Sequence, residues 1–317
     1  MTTSDSNPPE YGASPGSSAS EPQPVCHRHP DRVSYVRCKN CGRPACGECQ
    51  QPTEVGVLCA DCVHQNQGAR TTRRSDTPWV TYCLMGLCVV VYILQWVTVA
   101  QPQGVTQLFQ YAGVYTSAVA LEYPWLPFEP WRMITSAFVH SLANPVHLLM
   151  NMLVLYMMGR ALEPALGRVR FLGLYLLSAF GGSVAVLFLS EPHVPVVGAS
   201  GAVYGLFAAM FILLRQSGGQ LASITALIVL NLVISFVGSN ISWQGHIGGL
   251  ITGGLTAGLM LGLHQLFSKR MADPTLPNVS GGLSATAVAQ LGTWLAIAAV
   301  FVVLVVLTWV GALSITL

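Results

Sequence analysis

One serine sits between glycines where a long apolar stretch begins: Ser200, in "GASGAVYG" at 198–205. A later apolar stretch opens with His246. A serine hydroxyl is a poor nucleophile until a neighbouring base takes its proton, and a neutral imidazole can take it near pH 7. Both residues stand at the starts of alternate spans, so both are expected at one shallow depth. No acid is at hand to orient the histidine. There is no Asp between Asp76 and Asp273, and Glu122, Glu129, Glu163 and Glu191 fall in loops or at span ends. The pair therefore reads as a Ser–His dyad rather than a triad. Acyl transfer also needs donors aimed at the developing oxyanion. "HLLMN" places His147 and Asn151 at i and i+4, on one helix face. Their N–H groups, with the Ser200 backbone N–H, could supply that hole.

The same inventory excludes other chemistries. An aspartyl protease of the bilayer needs two buried carboxylates, and none is available. No His is followed by Glu, so there is no H-E-x-x-H zinc helix. Pumps and ion-coupled carriers keep acids at membrane depth, which argues against a transporter. Each polar residue also has a plainer account. A serine in an apolar helix is usually a packing residue bonded to its own backbone, and a lone membrane histidine is more often structural. The functional account gains from complementary groups meeting at one depth.

A second cluster lies near the N-terminus: Cys26-x2-His29-x8-Cys38-x2-Cys41-x4-Cys46-x2-Cys49-x9-Cys59-x2-Cys62. Four ligand pairs at x2 spacing fit two tetrahedral zinc sites. Disulfides conflict with the cytoplasmic N-terminus argued below. His27 fits less well than His29, which alone has x2 spacing from Cys26. Cys83 and Cys88 lie inside the first span as apolar filler. The module is too poor in apolar residues for a core of its own, so metal binding should drive its folding. Its basic residues are scattered, which favours a cytoplasmic protein partner over nucleic acid.

The elements that must position these groups are membrane helices. Of 317 residues, 52% are hydrophobic and 9% charged, against roughly 25% charged in a soluble domain. A net charge of +2 argues for no particular acidic partner. Lysine occurs only at 39 and 269, which points to a GC-rich bacterial genome. Seven apolar spans are expected, about 79–100, 146–163, 169–190, 199–214, 221–238, 245–266 and 288–313, measured against about 30 Å of hydrocarbon at roughly 1.5 Å per residue. The fourth is the shortest, and "EPHVPVVG" before it can dip into the membrane where protein or water covers it. Residues 1–25 read as a disordered arm, with no apolar core of a signal peptide. The zinc-binding module covers 26–63 and a linker covers 64–78. The membrane core spans 79–266, followed by a cytoplasmic loop at 267–287 and a last helix in 288–317. Arg70, Arg73, Arg74, Arg160, Arg168, Arg170, Arg215, Lys269 and Arg270 all fall on one side, with Arg132 opposite. The positive-inside rule then sets the N-terminus in the cytoplasm and the C-terminus outside. Gly245, Gly249 and Gly253 on span six, and Gly201 and Gly205 on span four, form small-xxx-small faces that let helices approach closely. That approach is required if His246 is to reach Ser200.

These pieces resemble the rhomboid intramembrane serine proteases over roughly residues 79–266, through "GASGAVYG", "HLLMN", "HIGGLITG" and Trp131–Arg132. The resemblance implies an all-α polytopic membrane protein with a six-helix core, here with a C-terminal seventh helix. It implies cleavage of transmembrane segments near the outer face, with Ser200 as nucleophile, His246 as base and no catalytic cofactor. It implies that His147 and Asn151 line the oxyanion hole and Tyr204 packs on His246. Gly198 keeps the approach to Ser200 open, Trp131 and Arg132 stabilise the first loop, and His246, Gly249 and Gly253 repeat an H-x-x-G-x-x-x-G pattern. The expected partners are transmembrane protein substrates and the bilayer. His140 departs from the pattern: it lies seven residues before His147, where the family often has a histidine five before, so the "SLANP" loop is expected to be remodelled. "GASG" is not the α/β-hydrolase elbow, since Ala202 occupies the second glycine position. Trp243 is expected either in a lid over a water-filled cavity or as an ordinary interfacial residue. The alternative function is a catalytically inactive rhomboid-like protein that binds membrane proteins, although such relatives generally lose the Ser or the His. The N-terminal spacing resembles B-box-type zinc fingers over residues 26–62. That family would pair Cys26, His29, Cys46 and Cys49 on one ion and Cys38, Cys41, Cys59 and Cys62 on the other, while the Cys-x2-Cys ending leaves sequential pairing open.

Overall fold

The computed structural model describes residues 23–53, 56–63, 77–117, 128–238, 241–272 and 285–315. Most of the expected arm and linker, and the centre of the 267–287 segment, lie outside the described residues. The chain divides into two compact units, Met1–Ser75 and Asp76–Leu317.

In the first unit, β1 (Gln50–Thr53) pairs antiparallel with β2 (Gly56–Cys59), Gln50 opposite Cys59 and Thr53 opposite Gly56. Among the described residues its interior is mostly sulfur: Cys26, Cys38, Cys46, Cys49, Cys59 and Cys62 are buried, with Ala45, Ser34 and the half-buried Leu58 beside them. A hydrophobic core this small cannot offset the ordering of the chain.

The second unit is helical: α1 (Trp79–Val97), α2 (Val105–Phe109), α3 (Arg132–Thr135), α4 (Pro145–Leu166), α5 (Arg168–Leu189), α6 (Ser200–Ser217), α7 (Ala222–Val237), α8 (Trp243–Ala272) and α9 (Ala285–Ser314). The seven long helices correspond to the seven expected spans. α1, α4, α5, α8 and α9 are long and apolar enough to cross a membrane, so this is a multi-pass membrane protein. α7 is apolar but has only 16 residues. α6 has 18, opening on Ser200 and closing on Arg215, Gln216 and Ser217. α8 continues past residue 266 to Ala272 and α9 begins at Ala285, so both helices reach into the expected 267–287 loop.

α5 is the central element, with buried residues from Phe171 to Leu187. Leu155, Leu162, Phe171, Leu174, Leu206 and Phe207 pack the core between α4, α5 and α6. α1 and α9 instead leave Val90, Ile93, Val303 and Val306 exposed, as helices facing lipid do. Glycine contacts fix the packing. A Cβ on Gly249 would meet the Gly201 carbonyl oxygen at 1.9 Å, and one on Gly253 would meet Gly205 Cα at 2.3 Å. The four-residue repeats of α6 and α8 therefore mesh in parallel. Gly182 of α5 lies against Gly201 and Gly245, and Ser178 against Gly205, so α5 runs the other way.

One carboxylate ties the opposite end together. Glu163, buried in the last turn of α4, accepts from Val80 N at 3.0 Å, Thr81 N at 2.8 Å and Thr81 Oγ1 at 2.8 Å. Pro78 offers no side-chain cap to α1, so Glu163 satisfies free N–H groups of its first turn, where the helix dipole also favours an anion. Glu163→Ala should lower unfolding stability in detergent by about 2–3 kcal/mol, since it strands buried donors. Glu163→Gln, which keeps one acceptor, should lose less. Unchanged unfolding in Glu163→Ala would remove this role.

Candidate active site and metal centres

α4 opens on Asn144, whose side chain accepts from Val146 N at 3.2 Å, followed by Pro145 at N1. This start places His147 in the first turn and Asn151 one turn on. Ser200 is the first residue of α6, and His246 lies in the first turn of α8. The parallel meshing of α6 and α8 brings Ser200 Oγ to 2.7 Å from His246 Nε2. The Tyr204 ring stacks on the His246 ring at 4.2 Å between centroids and 14° between planes.

The chain enters α6 through Gly198, at φ +125°, a backbone region that L side chains rarely adopt. A Cβ there would lie 2.7 Å from His147 Cε1 and Nε2 and 3.8 Å from Ser200 Oγ. The His147 ring thus stands beside the hydroxyl with only glycine between them. Asn151 is on the same helix face and buried, and its Nδ2 donates to His147 O at 2.8 Å. A cavity of about 40 Å³ opens next to the pair, lined by Ser136, Gly182, Gly198, Ser200, Ser242 and His246 among others. That is room for a water with polar partners.

The first loop is anchored beside this site. Arg132 is buried with its guanidinium bonded to Glu129 and to Gln107 O, donating to Gln110 O at 3.2 Å and lying 4.1 Å over the Tyr115 ring. Trp131 points outward, 53% exposed. Tyr111 and Val196 exchange both backbone bonds, at 3.1 and 2.7 Å, which ties that loop to the segment before Ser200. Trp243 stacks on Phe236 of α7 at 5.2 Å.

Sequence reasoning missed two partners. Gln95 clasps the backbone of His140, donating to its carbonyl at 2.8 Å and accepting from its N–H at 3.0 Å. This holds the segment before α4 so that the buried His140 ring lies 5.3 Å from the His147 ring. Neither His140 ring nitrogen has a partner among the described residues. Burial, with His147 beside it, holds that imidazole down at about 4, so it is neutral at physiological pH. The second is Ser235 of α7, whose Oγ lies 2.6 Å from His246 Nδ1. The sequence offers no sign of it beyond a polar residue in an apolar span.

In the N-terminal unit the ligand atoms gather as Cys26, His29, Cys46 and Cys49, and as Cys38, Cys41, Cys59 and Cys62, within 4.8 Å in each set. The clusters are interleaved along the chain. Cys46 Sγ and Cys49 Sγ each lie 3.4 Å from His29 Nδ1, Cys26 Sγ lies 4.0 Å from it, and Cys41 Sγ lies 3.7 Å from Cys59 Sγ. Tetrahedral zinc, with bonds near 2.3 Å to sulfur and 2.0–2.1 Å to nitrogen, sets edges of about 3.5 Å for S–N and about 3.8 Å for S–S. A disulfide would require about 2.05 Å, and all these cysteines are free. His27 faces away, bonded to Asp61 at 2.5 Å.

The second unit is therefore a polytopic helical membrane protein with its serine and histidine groups gathered at one end of the bundle. A rhomboid domain model matches residues 127–263. The chain is 32% identical to rhomboid protease GluP of Bacillus subtilis (strain 168) over 213 residues, covering 64% of this chain and 39% of that protein. It is 38% identical to the putative rhomboid protease YdcA of the same organism over 131 residues, covering 39% of this chain and 64% of that one. It is 38% identical to RHOMBOID-like protein 6, mitochondrial, of Arabidopsis thaliana over 136 residues, covering 39% and 42%. The chain thus carries a rhomboid domain over residues 127–263. It spans about two fifths of the length of GluP and of the Arabidopsis protein.

Proposed function

We propose that the chain is an intramembrane serine endopeptidase of a bacterial cell membrane, cleaving transmembrane segments of other proteins with Ser200 and His246. The observation that carries this is the 2.7 Å contact between Ser200 Oγ and His246 Nε2. Ser200 Oγ attacks the scissile carbonyl carbon while its proton passes to Nε2. The tetrahedral oxyanion forms beside His147, Asn151 and the Ser200 N–H. The imidazolium then protonates the leaving amine, leaving an ester on Ser200. A water in the adjoining cavity, activated by the same nitrogen, hydrolyses the ester and returns the proton to Ser200. A cytoplasmic N-terminus would place this end of the bundle at the outer face, open to water.

Reconstituted protein should cut a generic single-span substrate, and Ser200 should label with a fluorophosphonate only while His246 is present. Protein that binds such substrates but cuts none would favour the inactive, binding form of the family. Asn151→Ala should lower kcat by about 10–1000-fold, the upper part of which is the roughly 10²–10³-fold loss typical of an oxyanion donor, with KM little changed. Equal turnover in that variant would take Asn151 out of the oxyanion hole.

For the N-terminal unit we propose two structural zinc ions, held by the two interleaved ligand sets, and a cytoplasmic protein partner. The donor set and edge lengths support zinc, with His29 bonded through Nδ1. Zinc there would hold the fold and take no part in the cleavage.

A further inference from the structure

α7 is an unusual place for a buried hydroxyl. Among its described residues only Ile224 and Ser235 are buried, while Val233, Ile234, Phe236 and Val237 around Ser235 are exposed. Ser235 Oγ has three partners: Asn231 O at 2.7 Å, Tyr204 Oη at 2.9 Å and His246 Nδ1 at 2.6 Å. A packing serine in an apolar helix needs only the first, the bond back to its own i−4 carbonyl. The other two come from α6 and α8.

We propose that Ser235 is a positioning residue for His246, its hydroxyl accepting the Nδ1–H and so fixing the tautomer that leaves Nε2 bare toward Ser200. This inference rests on the serine-protease function proposed above.

The proton count supports it. A hydroxyl has one hydrogen to give and two lone pairs. Asn231 O can only accept, so it takes the Ser235 hydrogen. The lone pairs are then free for two donors, the Tyr204 O–H and the His246 Nδ1–H. All three contacts are satisfied together only when Nδ1 carries the imidazole proton. In the other tautomer Nε2–H would face Ser200 Oγ and could not take its proton. Nδ1 would also demand the single hydrogen that Asn231 O already holds.

The arrangement has a physical logic in a membrane. In soluble triads a buried aspartate holds the histidine tautomer and stabilises the imidazolium. A carboxylate at this depth would be costly. A hydroxyl anchored to its own helix supplies the orientation without the charge. When Nε2 gains the proton, the Nδ1–H···Oγ bond becomes charge-assisted and strengthens. Tyr204 meanwhile holds the face of the same ring, so the imidazole is fixed at one edge and one face.

The test uses the full-length chain in proteoliposomes with a single-span substrate. Ser235→Ala should lower kcat about 10-fold, at the low end for lost orienting partners, with KM unchanged. The rate of fluorophosphonate labelling at Ser200 should fall in parallel. Ser235→Thr, which restores the hydroxyl, should recover most of both. Nitrogen-15 NMR of histidine-labelled wild type, with His246 assigned by its absence in His246→Ala, should show Nδ1 protonated and Nε2 bare. Ser235→Ala should show a mixture. Unchanged kcat and labelling in Ser235→Ala would overturn the proposal, as would a wild-type His246 protonated on Nε2. If Ser235→Ala fails to fold, the wild-type tautomer decides. If the wild type cuts nothing, the protease function fails, and the tautomer still tests the orientation by itself.

Discussion

Ser200→Ala and His246→Ala should each abolish cleavage, lowering kcat by on the order of 10⁴–10⁶-fold, as losses within a nucleophile–base unit do. The double variant should be no worse than either single one, because the two act on one proton. Ser200→Ala removes one oxygen from the first residue of α6 and leaves the meshing of Gly201, Gly205, Gly249 and Gly253 intact, so the bundle should keep its unfolding midpoint. His246→Ala also removes the ring under Tyr204 and should cost some stability. The labelling experiment keeps the two effects apart: loss of reaction at Ser200 in a folded His246→Ala protein reports loss of the base. Wild-type turnover surviving in Ser200→Ala would end the assignment.

The helical architecture was legible because hydrophobic spans and glycine repeats are local signals. Seven spans and the four-residue glycine faces read directly from the sequence, and the meshing that those faces imply is what brings Ser200 to His246. What did not read were the polar contacts across distant segments. Glu163 looked like a residue at a span end, yet it caps α1 across the bundle. Gln95 gave no hint of clasping His140. Ser235 is one hydroxyl in an apolar run, and its meaning depends on how α7 is set against α6 and α8. Such partners are chosen by tertiary geometry and leave no periodicity behind. The metal ligands are a middle case: the x2 spacings name the eight residues and leave sequential pairing open, while the ligand atoms gather in the interleaved sets that the B-box resemblance implies.

Removing metal should unfold the N-terminal unit and leave the helical unit standing. Six buried cysteines make up most of its interior, and structural zinc in small modules contributes about 10–16 kcal/mol at neutral pH, more than so small a core can replace. The hairpin sets Gln50, next to Cys49 of one ligand set, opposite Cys59 of the other. Cys46 and Cys49 lie before β1, whereas Cys59 ends β2 with its N–H 3.2 Å from Cys38 Sγ. The chain thus passes between the two clusters three times. Metal analysis of the full-length protein should give two zinc per chain, and Cys38→Ser should lose one. Cobalt substitution then tells the pairings apart. Under the interleaved arrangement, Cys38→Ser destroys the four-cysteine site and the remaining ion shows a three-sulfur, one-nitrogen spectrum. Under sequential pairing the same variant would destroy the histidine site and leave a four-sulfur spectrum. A four-sulfur spectrum in Cys38→Ser would refute the interleaved assignment. An N-terminal unit that stays folded without metal, or that is held by disulfides in the cell, would refute the zinc centres themselves.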